Sequence, residues 1–555
     1  MNTTKKNHTF KIILIIASLI FLAITPWVNK DSIVVPKVIL LFLLALFLLP
    51  RVFQARKEFS GNRMLQILLL IICLIITQML LVILISNAPI EQQVFGKMGR
   101  GLGVITAFSI LIVTIAAALY VNMKELNLFI KTTIVIFSIS SVYSVFQSFG
   151  IDFIKWETKT NSIFGTLGNP NFQSSAAALV MIPCILLFNK KKKFFAASII
   201  LITLNFIVII KTQSIQGIVS TFLGLALLVI IFFWYKNRYI FAVSAVVFFV
   251  GAVVSILAMV NQGPLRGFSV GSFTFYKASV QSRGDFWRSA LATSKDHPIF
   301  GVGIDSFGDY YLKYRDAVAV SHSPEFTDNA HNYFLEYAAT GGYPLMTLHI
   351  LLILLTLRAF IKMIKNSTEF NRDITSLFAI WAVFQAQSVI SPGAIGLMVF
   401  NAIATGAIIG LSKLKVTQNL ETITIGKGSK ALTRNSSTVF VLIGLVIIYP
   451  YFNADRLFLK ALNSQDAILL ADSTRIYPQS TYRYSTTSRL LLESKAYEQS
   501  LEVALLAIKF NPNSVSPWAH IVLNPLTSLE DKLKAKQELI RLDPNNKSLN
   551  DIEIS

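Results

Sequence analysis

The chain has 555 residues, of which 54% are hydrophobic and only 14% charged, with a mean hydropathy of +0.61; soluble chains carry about 25% charged residues, so a water-soluble globular fold is excluded. The formal net charge of +21 sits mostly on lysines and arginines in short connections between apolar runs, where it reports membrane topology rather than nucleic-acid binding. Lipid offers the backbone no hydrogen-bond partner, so apolar runs of about 20 residues imply helices. The fold class is therefore all-α: a polytopic membrane protein with about 12–13 transmembrane helices, one large polar loop and a polar helical tail.

Met1 to Lys11 is basic and Ile12 to Ile24 apolar, with no small-residue cleavage site after them, which predicts an uncleaved first crossing near 12–28. Further crossings are expected near 33–50, 64–86, 104–121, 127–149, 173–189, 194–210, 215–234, 239–260, 343–361, 374–390, 394–412 and 437–450. With the N-terminus in the cytoplasm, every strongly basic short connection falls inside, including Arg51 to Arg63, Lys190 to Lys193 and Arg358 to Arg372. The connections on the other side, Ser86 to Arg100 and Gly150 to Phe164, mix both signs. The chain thus divides into a transmembrane bundle over 1–260, an extracytoplasmic loop over 261–342, further transmembrane helices over 343–450 and an extracytoplasmic tail over 451–555. Cys73 and Cys184 lie inside apolar runs and read as small buried hydrophobes.

The 261–342 loop is close to neutral yet dense in ionisable residues, and it is too long for a mere connector. In the tail, helical periodicity ends on Pro512 and again on Pro544, 32 residues later, near the roughly 34-residue period of tetratricopeptide repeats. One or two degenerate repeats fit this spacing, and so does an irregular helical tail resting on the loop.

The loop holds the sharpest local pattern: Ser282-Arg-Gly-Asp-Phe-Trp-Arg288, then His297-Pro-Ile-Phe-Gly-Val-Gly303, then His331-Asn-Tyr-Phe-Leu335 closing on Gly341-Gly342. With Gly168-Asn-Pro-Asn171 and the Thr25-to-Lys37 stretch, this resembles the O-antigen ligase and polymerase family, over roughly residues 10 to 412. The resemblance implies transfer of a glycan from an undecaprenyl-diphosphate carrier to an acceptor hydroxyl at the outer face of the cytoplasmic membrane, with no cofactor, metal or nucleotide sugar. The acceptor is a lipid core in ligases, a glycan end in polymerases and a protein in the family's protein O-oligosaccharyltransferases; a repeat-like tail is compatible with a protein partner.

Such a reaction needs cations on the leaving diphosphate, which arginine's planar fork serves well, and a base for the acceptor hydroxyl, usually histidine near neutral pH. Arg283 is the first candidate for the diphosphate and Arg288 the second, with a loop-to-helix transition between them. His331 is the candidate base, paired with Asn332. Asp328 or Asn329 is expected to cap a helix running to Thr340, placing His331 in its first turn, where the positive helix end favours the neutral imidazole. His297 and His322 lack this context and read as structural, as do Gly301 and Gly303 in a turn after Pro298. Asn169 before Pro170 is a helix cap whose helix terminus is suited to an anionic diphosphate. Many family members carry Ser-Arg-Gly after the seventh crossing, whereas this chain reads Lys211-Thr-Gln-Ser-Ile-Gln-Gly217; Lys211 is the substitute cation. Two readings of other classes compete, a transporter or lipid flippase and a non-enzymatic membrane scaffold. The first predicts ionisable residues within several crossings, the second leaves the loop pattern unexplained.

Overall fold

The computed structural model describes residues 8–554 apart from 155, 157–162, 189–194, 260–268, 271–272, 275–277, 323–325 and 413–426. The basic run Lys190 to Lys193 lies outside the described residues. Apart from a two-residue hairpin, Ser269–Val270 with Phe273–Thr274, the described chain is helical. The first half forms α1 (His8–Leu22), α2 (Val34–Gln54), α3 (Lys57–Ser60), α4 (Arg63–Ile85), α5 (Ile90–Phe95), α6 (Val104–Tyr120), α7 (Met123–Ser148), α8 (Pro170–Phe188), α9 (Phe195–Lys211), α10 (Ile215–Lys236) and α11 (Arg238–Met259). The loop contributes α12 (Ala278–Asp296), α13 (Phe307–Tyr314) and α14 (Ala317–His322). The chain returns through α15 (Tyr333–Lys365), α16 (Arg372–Ser388), α17 (Ile395–Leu411) and α18 (Lys427–Ser464).

Seven of these helices, α2, α4, α7, α8, α10, α15 and α18, are long and apolar enough to cross a membrane, and five shorter apolar ones, α1, α6, α9, α11 and α17, accompany them. With α16 they coincide with the apolar runs of the sequence. Asparagine fixes several helix starts: Asn62, Asn122 and Asn371 each accept from two backbone N–H groups of the first turn of α4, α7 and α16, satisfying donors that a helix cannot satisfy itself.

The bundle core is built on small-residue contacts. On α17, Gly406 and Gly410 lie against the Thr114 and Ala118 carbonyls of α6, so a Cβ at either would come within 2.2 and 2.3 Å of those oxygens. Such close backbone approach is how helices associate where lipid removes the hydrophobic drive between them. Phe21 stacks on Phe137 with ring centroids 4.1 Å apart, and Phe400 meets both edge-on. Lys37, in the first turn of α2, is buried and donates to the Ile20 and Phe21 carbonyls at 3.0 and 2.8 Å, covering the end of α1. Cys184 is buried, but Cys73 is exposed on the outer side of α4, contrary to the expectation that both are buried.

One further feature differs from the sequence-based expectations. The helix α12 runs unbroken through Arg283 and Arg288, so no loop-to-helix transition separates them. The helix after His331 ends where the sequence expects it, at the non-helical Gly342 (φ 77°, ψ 169°), and a second helical segment continues α15 from there to Lys365.

Beyond α18 come α19 (Ala467–Thr474), α20 (Thr481–Glu493), α21 (Tyr497–Phe510), α22 (Val515–Leu523) and α23 (Leu529–Leu542). The pairs α20/α21 and α22/α23 pack as helical hairpins, each around its own small core: one joins Phe458, Tyr484, Leu491 and Val503, the other Trp518, Ile521, Leu539 and Leu542. The tail lies at the same end of the bundle as the loop, and the Arg315 guanidinium on the loop pairs with Asp543 in the tail.

Candidate functional site

Segments far apart in sequence converge at the loop end of the bundle: the 86–103 connection, α12, the turn after Pro298, and the stretch that leads into α15. A small core of Phe286, Ala290, Phe307, Tyr311, Ala330 and Ala339 joins α12, α13 and the start of α15.

The glycine turn packs against the α15 kink. The N–H groups of Val302 and Gly303 donate to the Ala339 and Thr340 carbonyls at 2.9 and 3.1 Å, and Tyr343 N–H donates to the Pro298 carbonyl at 2.8 Å. Gln78 reaches out of α4 to donate to the Ile299 and Gly341 carbonyls at 2.7 and 3.0 Å. Gly342 must be glycine here, because its φ is positive and a Cβ would sit 2.2 Å from the Ile299 carbonyl oxygen. These glycines therefore form the structural turn that the sequence suggests.

His331 lies just before the helix rather than in its first turn. Asn332 is the cap: its Oδ1 accepts from Phe334 and Leu335 N–H at 2.9 and 3.1 Å, a task expected of Asp328 or Asn329. Asn329 instead accepts from His331 N–H at 2.9 Å, and Glu336 accepts from Ala330 N–H at 2.8 Å. Between these anchors His331 is held at φ 52°, a left-handed conformation that costs a non-glycine residue about 1–3 kcal/mol and persists only where its surroundings impose it. The Phe286 ring of α12 tilts over the imidazole with centroids 5.4 Å apart.

The charges of two cations act on this histidine. Arg100 grips Asp328 with Nε and Nη2 at 2.8 to 3.1 Å, and Arg283 lies on the α12 face that carries Phe286, one turn earlier. Burial, then the charges of Arg100 and Arg283, push the His331 pKa down to about 3 against the opposing Asp328, so the ring is neutral at physiological pH. Burial works to raise the Asp328 carboxyl, but Arg100 outweighs it and holds the group below the ordinary carboxylate range. Arg100 is itself carried on a tight turn, with Arg100 and Gly101 N–H both donating to the Lys97 carbonyl. That turn is pinned by Asp305, which accepts from Lys97 and Leu102 N–H at 2.7 and 3.2 Å, and by the Lys97 Nζ contact to Asp309 at 3.0 Å.

Arg288 points elsewhere. On the continuous helix it lies about 140° around from Arg283, and it bonds Asp316 and Asp285 at 2.6 Å each, joining α12 to the start of α14. Asn169 accepts from Asn171 N–H at 2.8 Å at the start of α8, and Lys211 is exposed at the end of α9. The segments that carry these two meet at a second locus, because Ser214, in the turn after α9, donates to Asn171 at 2.7 Å. Residues 31–33 connect it to the first: Ile33 packs at Gly168, and Asp31 accepts from Gly99 N–H at 2.8 Å. His297 hydrogen-bonds Tyr314 at 3.3 Å, the structural role expected of it.

Toward the bundle lies a cavity of about 110 Å³, with mostly apolar walls and Asp305, Asn329, Tyr333 and Glu336 among its lining residues. Asp305 Oδ1, Glu336 Oε1 and Tyr333 Oη are buried there with no hydrogen-bond partner among the described residues, an arrangement native folds rarely keep without use. Among the described residues, no group of three or more His, Cys, Asp or Glu side chains is placed to hold a metal ion.

Arg100, Lys97, Asp305 and Glu336 sit in no local motif that marks them. The one signal available in the sequence is the basic pair Lys97 and Arg100 in a short connection of mixed sign. Residues 197–350 match the family model described as O-antigen ligase. A search of curated proteins finds no match. The matched stretch contains Lys211, Arg283, Arg288, His331 and Asn332, whereas Asn169, Arg100 and the tail lie outside it.

Proposed function

We propose that this chain, which carries an O-antigen ligase domain at residues 197–350 and acts in glycosyl transfer for cell-surface polysaccharide assembly, moves a glycan from a polyprenyl-diphosphate carrier to an acceptor hydroxyl at the outer face of the cytoplasmic membrane. The observation that carries this reading is a buried, neutral histidine, locked at φ 52°, on which the charges of both Arg100 and Arg283 act.

In this reading the acceptor oxygen attacks the anomeric carbon of the donor as the bond from that carbon to the diphosphate oxygen breaks. The hydroxyl proton passes to the His331 imidazole, and the electron pair of the broken bond leaves on the diphosphate, where Arg283 stabilises it. The depressed His331 pKa fits this order of events. A ring held down first by burial and then by two guanidinium groups is a weak base in the empty site; a bound diphosphate offsets the second of these causes, so the ring gains basicity when donor is present. The unpartnered Asp305, Glu336 and Tyr333 groups supply acceptors and a donor for sugar hydroxyls. Arg288, committed to two carboxylates, holds α12 in place. Lys211 and Asn169, at the second locus, form a further anion-favouring patch along the donor's path.

The test compares wild type with His331→Ala and Arg283→Ala at equal membrane abundance. Lipid-linked glycan accumulates in both variants if the reading holds, and unchanged transfer by both would sink it.

A further inference from the structure

The tail lies outside both the matched domain and the catalytic motifs, yet it touches each arm of the site. Its first contact is a closed ring of four buried side chains from three parts of the chain. Asp309 of α13 accepts from Gln92 at 2.8 Å and from Asn511 at 3.0 Å; Asn511 also donates to Thr481 at 3.2 Å, and Thr481 donates to Gln92 at 3.1 Å. The other oxygen of Asp309 holds Lys97, whose turn presents Arg100 to Asp328 and so to His331. The second contact is the buried ion pair of Arg315 with Asp543, reinforced by Asn545 donating to the Arg315 carbonyl at 2.7 Å. The next residue, Asp316, grips Arg288 of α12, the helix that carries Arg283. Asn513 adds a bond to Tyr310 at 3.1 Å.

We infer that the tail is a working part of the transferase site: Asn511, Thr481 and Asp543 are positioning residues that set the His331 arm and the Arg283 arm in place relative to each other. A tail that only decorated the surface would not need buried charge and amide groups aimed at the two segments behind the catalytic side chains, because such groups are costly unless their partners are held in place. The inference rests on the transferase reading for what the arms do, but its principal test does not.

Hydrogen exchange is measured on the full chain in lipid nanodiscs, for wild type and for Asp543→Asn, Asn511→Asp and the double variant. The expected result is exchange at least tenfold faster in the tail interface, in residues 328–332 and in α12, with α17 unchanged; the charge-reversed pair Arg315→Asp with Asp543→Arg restores part of the protection. Faster exchange confined to the interface overturns the inference, and so does an interface that stays protected in the double variant. If α17 also loses protection the variant has unfolded, and Thr481→Val, which removes a single hydroxyl, is measured instead with the same two readouts. No substrate is needed, so loss of the transferase reading leaves this result standing. Transfer adds a readout that mere stabilisation does not move. Arg100 and Asp328, from the segments flanking His331, and Arg283, from α12, are the charged groups that act on it. Loosening the two arms lets water reach the buried ring and moves Arg100 and Arg283 away from it, which raises the acid limb of kcat/KM toward the ordinary histidine range against the smaller opposing loss of Asp328, whereas a tail that only stabilises the fold lowers abundance and leaves the limb in place.

Discussion

The seam between α6 and α17 and the polar end around His331 use hydrogen bonds in opposite ways. On α6 the hydroxyls fold back onto their own helix, Ser109 on Ile105 and Thr114 on Ile110, as do Thr133 on Phe129 in α7 and Thr356 on Leu352 in α15; elsewhere in the bundle Ser141 of α7 reaches Asn205 of α9 and Gln216 of α10 reaches Ser175 of α8. What joins α6 to α17 is backbone proximity at Gly406 and Gly410. At the polar end the bonds run between distant segments, from Gln78 to Ile299, Arg100 to Asp328, Asn511 to Asp309 and Arg315 to Asp543. In the apolar layer each helix must satisfy its own backbone polar groups before it can pack. At the polar end, alternative partners and water are at hand, so pairing carries specificity and can assemble a site.

This contrast is open to test, and the largest effect belongs to the polar end. His331→Ala is expected to lower transfer by roughly 10²- to 10⁴-fold, the usual worth of a general base, without loss of membrane abundance; a fall in abundance that matches the fall in transfer would make the residue structural. Gly342→Ala sets a Cβ against the Ile299 carbonyl at positive φ and is expected to destabilise the loop end by about 3 kcal/mol or more. The readout is proteolytic nicking between α12 and α15 at temperatures where wild type stays intact, and equal resistance would remove the steric argument.

A subtler effect concerns pH. Because the folded pKa of His331 is depressed to about 3, neutral ring is available down to that range, and the His331 limb of kcat/KM is expected well below the ordinary 6.5. Arg100→Gln removes a cation that lowers the pKa, so the limb moves upward; a downward or absent shift would show that Arg100 does not act on the ring. The smallest effect is assigned to the bundle. Thr133→Val loses one bond within its own helix, and a change below about 1 kcal/mol in thermal stability is expected. A cost several-fold larger would mean that Thr133, too, bonds across helices, as Ser141 does to Asn205, and would weaken the contrast.

The sequence by itself determined the helices, their approximate ends and the polar loop, because hydropathy over about 20 residues and asparagine or proline at a boundary act within a single segment. It also singled out His331 and Arg283 as candidates, since both sit in short local motifs. It misassigned the helix cap to Asp328 or Asn329, because several adjacent residues can cap and the choice of Asn332 follows from the left-handed turn that positions His331. Arg100, Lys97 and Asp305 stayed hidden because their roles arise from partners more than 200 residues away, and no local pattern records such pairings. The tail's docking onto both arms was decided in the same way, by tertiary structure: a buried charge acquires its meaning only when its counter-charge arrives from another part of the chain.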